Sequence, residues 1–267
     1  MNIEEEQQKY TVNIIRHAQS EFNLAQELKG GEAATRHAHA ECLNIKFDPL
    51  YYDAGITQKG FQQTERARES CQDKNIKLVI VSPFKRALQT CYEIFKEHKN
   101  KPVIVVDPLF REMLLSSCDI GSLVLESKKE FDEFNFDFLQ NYENPLLWVV
   151  YELSDENAKN DLLQQIKSQC KDEEEFQTQG HIKLLEIMKN KYPIQLEQQR
   201  DTNERSLRQK QRLREIAKQY NIQEGEEIAV VGHSRNLQAF SASSFGENAE
   251  PIEGIWLENC EVRAMEV

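Results

Sequence analysis

Tyr10-Thr11-Val12-Asn13-Ile14-Ile15-Arg16-His17-Ala18-Gln19-Ser20-Glu21-Phe22-Asn23 is the stretch that decides the fold. Residues 10–15 are rich in β-branched side chains and apolar on both faces, as a buried strand in a helix-covered parallel sheet requires. The strand stops at an Arg-His pair. Three more bursts of the same kind follow at residues 78–81, 103–106 and 228–231. Helical patterns lie between them. Residues 60–71 are polar with spaced apolar positions. Ser82-Pro83 reads as an N-cap with Pro at the first helical position. Beyond it Phe84, Ala87, Leu88, Cys91, Phe95 and His98 fall on one helix face, which would pack on the sheet. Asp201 with Glu204 resembles a capping box opening a long charged helix to about residue 220. Residues 258–267 alternate as a final edge strand. This rhythm predicts an α/β three-layer sandwich with a mainly parallel sheet.

Residues 113–200 break the rhythm. They hold the aromatic run Phe131, Phe134, Phe136, Phe138 and Tyr142, then Trp148. Residues 126–175 carry fourteen Asp/Glu against five Lys. We read this segment as an inserted helical cap on a single domain spanning 1–267. Its aromatics would pack the cap on the sheet, since large rings dominate core burial. Asp172-Glu173-Glu174-Glu175 reads as a solvated helix start.

Composition excludes several classes. The 267 residues hold 33 Lys+Arg against 45 Asp+Glu, a net charge of -12, with a pI near 5.1 and a mean hydropathy of -0.67. A nucleic-acid binder needs a basic face to neutralise phosphates, so no nucleic-acid partner is expected. The longest apolar run, residues 146–151, is far short of the ~18 residues of a membrane span. The start, Met1-Asn2-Ile3-Glu4-Glu5-Glu6, is acidic where a signal peptide is basic and then apolar. Six scattered Cys without a C-x-x-C pair read as reduced thiols, so a cytoplasmic setting is expected.

In an α/β sheet, ligands bind beyond the carboxyl ends of the strands. The first strand is followed by Arg16-His17, the second by Ser82-Pro83-Phe84-Lys85-Arg86, the third by Arg111-Glu112, the fourth by Gly232-His233-Ser234. One rim therefore receives Arg16, Arg86, His17, His233 and Glu112. Two Arg side chains and helix N-termini suit a dianionic phosphoryl group. A His among them can be a nucleophile, because neighbouring positive charge lowers its pKa and keeps a ring nitrogen unprotonated at neutral pH. Phosphoryl transfer needs mostly positioning and charge stabilisation, which Arg16, Arg86 and His233 would supply. The departing oxygen needs a proton, and Glu112 is the carboxylate placed to give it. No metal or other cofactor is required of such a site. Each piece alone is weak; their coincidence at four strand ends carries the functional reading.

These residues resemble the histidine phosphatase superfamily, also called phosphoglycerate mutase-like. Arg16-His17-Ala18 is similar to its Arg-His-Gly signature, with Asn23 where the family has an Asn. Residues 53–63, Asp-Ala-Gly-Ile-Thr-Gln-Lys-Gly-Phe-Gln-Gln, resemble its Asp-x-x-Leu-Thr-x-x-Gly-x-x-Gln block. Residues 81–90 resemble the second-Arg block and 230–234 the second-His block. The match covers about 10–125 and 204–267. The resemblance implies a phosphohistidine on His17, a phosphate pocket of Arg16, Arg86 and His233, help from Asn23 and Ser234 in binding substrate, and Glu112 as proton donor. It also implies one antiparallel edge strand, a hydrolase acting on a small phosphorylated substrate, and no cofactor. Ala18 in place of Gly, Arg111-Glu112-x-Leu114 with Cys118-Asp119, and the run 259–263 resemble the plant and fungal broad phosphatase-like branch. The basic residues expected after Cys118-Asp119 are replaced by Ile120-Gly121-Ser122.

Phosphoglycerate mutases carry Glu-Arg-x-Tyr-Gly after the third strand; this chain has Glu112-Met113-Leu114-Leu115, which favours a phosphatase over a mutase-type isomerase. A non-catalytic binding member of the family is the other alternative. His37-x-His39 with Cys42 could hold zinc, but reads more simply as a loop beside the pocket mouth, where Arg36, His37 or His39 could touch the leaving group. Gly232-His233-Ser234-Arg235 lacks the second Gly of a nucleophile elbow, so a serine hydrolase is not expected.

Overall fold

A computed structural model describes residues 8–30, 43–139 and 141–267. Among them the chain runs β1 (Thr11–Arg16), α1 (Glu21–Gly30), α2 (Leu43–Lys46), α3 (Gln58–Gln72), β2 (Ile76–Val81), α4 (Lys85–Phe95), β3 (Val103–Val106), α5 (Val124–Glu130), α6 (Trp148–Tyr151), α7 (Glu156–Ser168), α8 (Glu173–Lys191), α9 (Gln199–Gln219), β4 (Glu227–Gly232), α10 (Ser234–Ser241), β5 (Ser244–Phe245), β6 (Pro251–Ile252) and β7 (Val262–Glu266). β5 and β6 form a separate two-stranded ribbon.

The main sheet has the order β3-β2-β4-β1-β7. β1 pairs in parallel with β4, β4 with β2 and β2 with β3, while β7 closes the edge antiparallel to β1. The pleat sends alternate residues to opposite faces. Ile15, Val79, Val81, Ala229 and Val231 face a core shared with α3 and α4. Val12, Ile14, Leu78, Ile80, Ile228 and Val230 face a second core filled by Phe110, by Leu213, Ile216 and Ala217 of α9, and by Leu237 and Phe240 of α10. These are the two helical layers of the α/β sandwich. Each fully buried aliphatic contributes on the order of 1.5–3 kcal/mol.

The insert joins the first of these cores. Phe131, Phe134, Phe136, Trp148, Phe176 and Leu184 share one apolar cluster with Ile15 and Val79. The insert also covers the open edge of β3: Val106 N donates to Asn135 O at 2.8 Å and Asn135 N to Ile104 O at 2.8 Å. Unpaired edge groups are thereby satisfied. The run at Asp172 behaves as a solvated helix start. Its side chain accepts from Glu175 N at 2.9 Å, and the three glutamates occupy the first turn of α8.

Several local expectations need correcting. Ser82-Pro83 does not cap α4. The helix starts at Lys85 after Phe84, and Lys85 N is bonded by Asp53 Oδ1 at 2.8 Å, a cap supplied from 32 residues upstream. His98 lies beyond the end of α4, with Nε2 on Cys71 O at 3.1 Å. The capping box of α9 is Gln198 with Asp201, so Asp201 is the third helical residue rather than the cap. The edge strand is also shorter than residues 258–267. Cys260 takes a positive φ of 62°, and its N–H turns to Arg16 O at 3.0 Å before β7 begins. Among the described residues, no helix is long and apolar enough to cross a membrane.

Candidate active site

The carboxyl ends of β1, β2 and β4 lie side by side in the sheet, and each releases its site residue there. β1 ends at Arg16, and His17 N donates to Gly232 O at 2.9 Å, which ties the Arg-His pair to the end of β4. His233 is the N-cap residue of α10. The imidazoles of His17 and His233 face each other with ring centres 5.1 Å apart. The structure thus brings together two histidines separated by more than two hundred residues.

His17 is buried, and its Nδ1 lies 2.7 Å from Ala18 O. A carbonyl can only accept, so Nδ1 carries the proton and the lone pair is left on Nε2. Burial, then the guanidiniums of Arg86 and Arg16, hold this imidazole well below its usual range. It is neutral at pH 7, with a free nitrogen of fixed identity. His233 is fully buried, and burial with the same two arginines keeps it neutral as well. Its Nε2 is 2.8 Å from Ser82 Oγ, while Nδ1 has no partner among the described residues. Phe84 packs edge-on against this ring at 5.4 Å.

The two arginines are held differently. Arg16 Nη1 donates to Leu257 O at 3.0 Å, and its buried Nε is unpaired among the described residues. Arg86 Nη1 donates to Cys118 O at 2.6 Å and Nη2 to Asp119 Oδ1 at 3.0 Å, with the guanidinium 4.5 Å from the Phe84 ring centre. Burial opposes the Arg86 charge, but its anionic neighbours outweigh it and raise its pKa. Asp119 is fixed in turn by Leu115 N, Ser116 N and Ser116 Oγ.

Glu112 leaves the β3 side of the sheet and meets the first turn of α10. Its Oε1 accepts from Asn236 N at 3.1 Å and Met113 N at 2.9 Å, and Oε2 from Arg235 N at 3.2 Å. Burial pushes this carboxyl up, and Asp119 adds to the push. It is the behaviour of a group that can hold a proton at higher pH than an exposed glutamate.

The remaining predicted residues stand further out. Asn23, half-buried on α1, accepts on Oδ1 from Ser20 N, Ser20 Oγ and Asn259 Nδ2. Asn259 also donates to His17 O at 3.0 Å, so Asn23 is linked to the His17 backbone. Ser234 opens α10, half-buried, and no hydrogen bond joins its hydroxyl to the others among the described residues. Arg36, His37, His39 and Cys42 lie outside the described residues; elsewhere no cluster suited to a metal is present among the described residues.

Sequence reasoning missed the partners that orient this set. Ser82 follows β2 as directly as His17 follows β1, a position that could have drawn attention to it. Thr90, one turn after Arg86, bridges Arg86 O at 2.6 Å and Ala18 N at 3.0 Å. Arg111 comes after β3 beside Glu112 but is turned into the interior, where it pairs with Glu197 at 2.7 Å.

Comparison with known proteins bears on the fold. A search of curated proteins gives no match. The chain is similar in fold to a structure called mycobacterial hydrolase 1 (13% identity, TM-score 0.52, covering 97% of this chain and 92% of that one). It is also similar to a mycobacterial glucosyl-3-phosphoglycerate phosphatase (14%, TM-score 0.52, 97% and 91%). A phosphoglycerate mutase from Bacillus anthracis aligns at 13% identity and TM-score 0.49 over 98% of this chain and 89% of that one. At these identities the likeness concerns the fold. The profile of the histidine phosphatase superfamily (branch 1) matches residues 12–145, half of the sequence and the part that carries Arg16, His17, Arg86 and Glu112. The chain belongs to the histidine phosphatase superfamily.

Proposed function

We propose that the protein is a phosphomonoesterase that needs no metal and works through a phosphohistidine on His17. The observation that carries this is the tautomer of His17: Nδ1 is committed to Ala18 O, leaving Nε2 as the nucleophile. Two buried donors beside it, Arg16 Nε and His233 Nδ1, are unpaired among the described residues and suit the non-bridging oxygens of a phosphoryl group. With His233 Nδ1 carrying the proton, Nε2 accepts from the Ser82 hydroxyl. Arg86 supplies a second guanidinium, held in place by Asp119.

The chemistry takes two steps. Nε2 of His17 attacks phosphorus in line while the bond to the ester oxygen breaks. Glu112 gives its proton to that oxygen, and the alcohol leaves. The Glu112 carboxylate takes a proton from water, the resulting hydroxide displaces His17 from phosphorus, and inorganic phosphate departs. The cationic and N–H groups carry the charge stabilisation that a metal supplies in other phosphoryl-transfer sites. Asn23 and Ser234 would assist in binding the substrate.

Hydrolysis is favoured over the mutase reaction by the residues on the C-terminal side of Glu112 and Asp119. Met113 and Leu114 are buried in the interior, and Gly121 lies under the Trp148 indole, so neither segment presents a cation to a second anionic group. The similarity of Ala18 and Cys118-Asp119 to the plant and fungal branch finds no support among the mycobacterial structures of similar fold, and no step depends on it. The apolar cluster shared by sheet and insert supports a single domain with 113–200 as its cap, and the scattered free thiols support a reducing, cytoplasmic setting.

The test is phosphate release from p-nitrophenyl phosphate in the presence of a chelator, for wild type and His17→Ala side by side. Release that survives chelation and disappears with His17 is expected. A His17→Ala chain with full activity would sink the proposal, and interconversion of 2- and 3-phosphoglycerate by the wild type would move it to the mutase.

A further inference from the structure

Residues 109–114 carry Glu112, yet beyond the short turn at Pro108–Phe110 this segment has no ladder or helix to fix it. Buried side chains hold it instead, three of them joined in one cluster. Arg205 of α9 donates through Nη1 to Leu109 O at 3.0 Å and to Arg111 O at 2.6 Å. Arg111 donates through Nη1 to Glu112 O at 2.7 Å and through Nη2 to Glu152 O at 3.1 Å. Glu197, just ahead of α9, accepts from Leu114 N at 2.8 Å.

Glu197 is the centre of this cluster. Its Oε2 takes Arg111 Nη1 at 2.7 Å as well as Leu114 N, and its Oε1 takes Arg111 Nη2 and Arg205 Nη2, both at 3.1 Å. All three side chains are buried to within 1% of full exclusion. Burial pushes the Glu197 carboxyl up, but Arg111 and Arg205 outweigh it and hold it at about 2. Without this anion the two guanidiniums would stand unneutralised in the interior, and neither could keep its present grip on the segment.

We infer that Glu197 is a positioning residue for the proton donor Glu112. One wall of the site, the first turn of α10, grips the Glu112 carboxylate. The Glu197 cluster grips the Glu112 carbonyl and the backbone on both sides of it. The carboxyl is thereby set between two clamps, one of them supplied by the exit of the insert. General acid catalysis depends on reach of a few tenths of an ångström to the leaving oxygen, so a loosened segment weakens proton donation first. The inference rests on Glu112 being the proton donor.

The experiment compares kcat/KM for phenyl phosphate and 2,4-dinitrophenyl phosphate in wild type, Glu197→Gln and Glu112→Gln. Phenolate is a poor leaving group that needs the proton; dinitrophenolate departs without it. Glu197→Gln is expected to lose at least about ten-fold more activity on phenyl phosphate than on the dinitrophenyl ester. An equal loss on both esters would mean that Glu197 serves only stability, and overturns the inference. Glu112→Gln separates the two failures: if it shows no leaving-group bias, the proton-donor assignment itself is wrong; if it shows the bias and Glu197→Gln does not, only the positioning role falls. Should Glu197→Gln be recovered unfolded by circular dichroism, Glu197→Asp, which keeps the charge and shortens the reach, takes its place. A bias in the same direction is expected there, and equal losses on the two esters overturn the inference.

Discussion

Replacing His17 with Asn should change how stability depends on pH, in a direction the structure fixes. Folded His17 is held far below the imidazole value of 6.5 by burial and by Arg86 and Arg16. An unfolded chain takes up its proton near 6.5, so acid favours the unfolded state. The contribution from a neutral His17 is complete above pH 6.5 and is lost as pH falls from there towards the folded value. For one such group the loss between pH 7.5 and pH 5.5 is at most about 1.4 kcal/mol, and by pH 5.0 at most about 2 kcal/mol, the ceiling set by the unfolded imidazole. Urea unfolding of wild type and His17→Asn at pH 7.5, 6.5, 5.5 and 5.0 measures this directly. His98 and Asp107 titrate in both proteins, so their contributions cancel in the difference, and His233, coupled to His17 across 5.1 Å, is held neutral with or without it by burial and the two arginines. The wild type should lose more stability than the variant between pH 7.5 and 5.5, by up to about 1.4 kcal/mol. Parallel curves would show that His17 titrates in the folded protein as it does in the unfolded chain, and would refute the claim that the fold keeps this nucleophile neutral.

Other perturbations test other parts of the site. Ser82→Ala removes the partner of His233 Nε2 and leaves that buried ring without a protein hydrogen bond among the described residues; a loss of about 1–3 kcal/mol in urea unfolding with a fall in kcat/KM is expected, and unchanged values in both would contradict the bond's role. Asp119→Ala strands the Arg86 guanidinium, a buried pair at 3.0 Å; about 3–5 kcal/mol of stability should go, with a raised KM, and a loss below 1 kcal/mol would count against the pairing. At Gly121 an added Cβ would stand 2.2 Å from Trp148 Nε1, so Gly121→Ala should cost about 1–3 kcal/mol and lower Tm, with a change in Trp148 fluorescence; a Tm equal to wild type would show that the indole can give way.

The sheet and the rim were legible because both depend on local pattern. β1, β2, β3 and β4 are short apolar bursts, and Arg16, His17, Arg86 and His233 follow them within a few residues. The supports of the site were not legible, because they join residues remote in sequence. Nothing near Lys85 announces that Asp53 caps its helix, and with that cap in place Ser82 is left to bond His233. Arg111 and Glu197 are 86 residues apart, so neither shows in the sequence that the other will neutralise it. Arg111 stands next to Glu112 in sequence, yet successive side chains leave an extended segment on opposite sides, and it turns into the interior. The extent of β7 was overestimated for a related reason: Asn259 and Cys260 alternate like strand residues, yet their N–H groups serve the backbone of Arg16 and His17.

The most direct test of the central claim is to trap the phosphoryl group during turnover. Wild-type protein mixed with phenyl phosphate, quenched in alkali within milliseconds and digested, should yield one phosphorylated peptide. Its phosphoryl group should be stable to base, labile to acid and located on His17. A phosphoryl group on any other side chain, or none at all while phosphate is being released at a steady rate, would contradict the account.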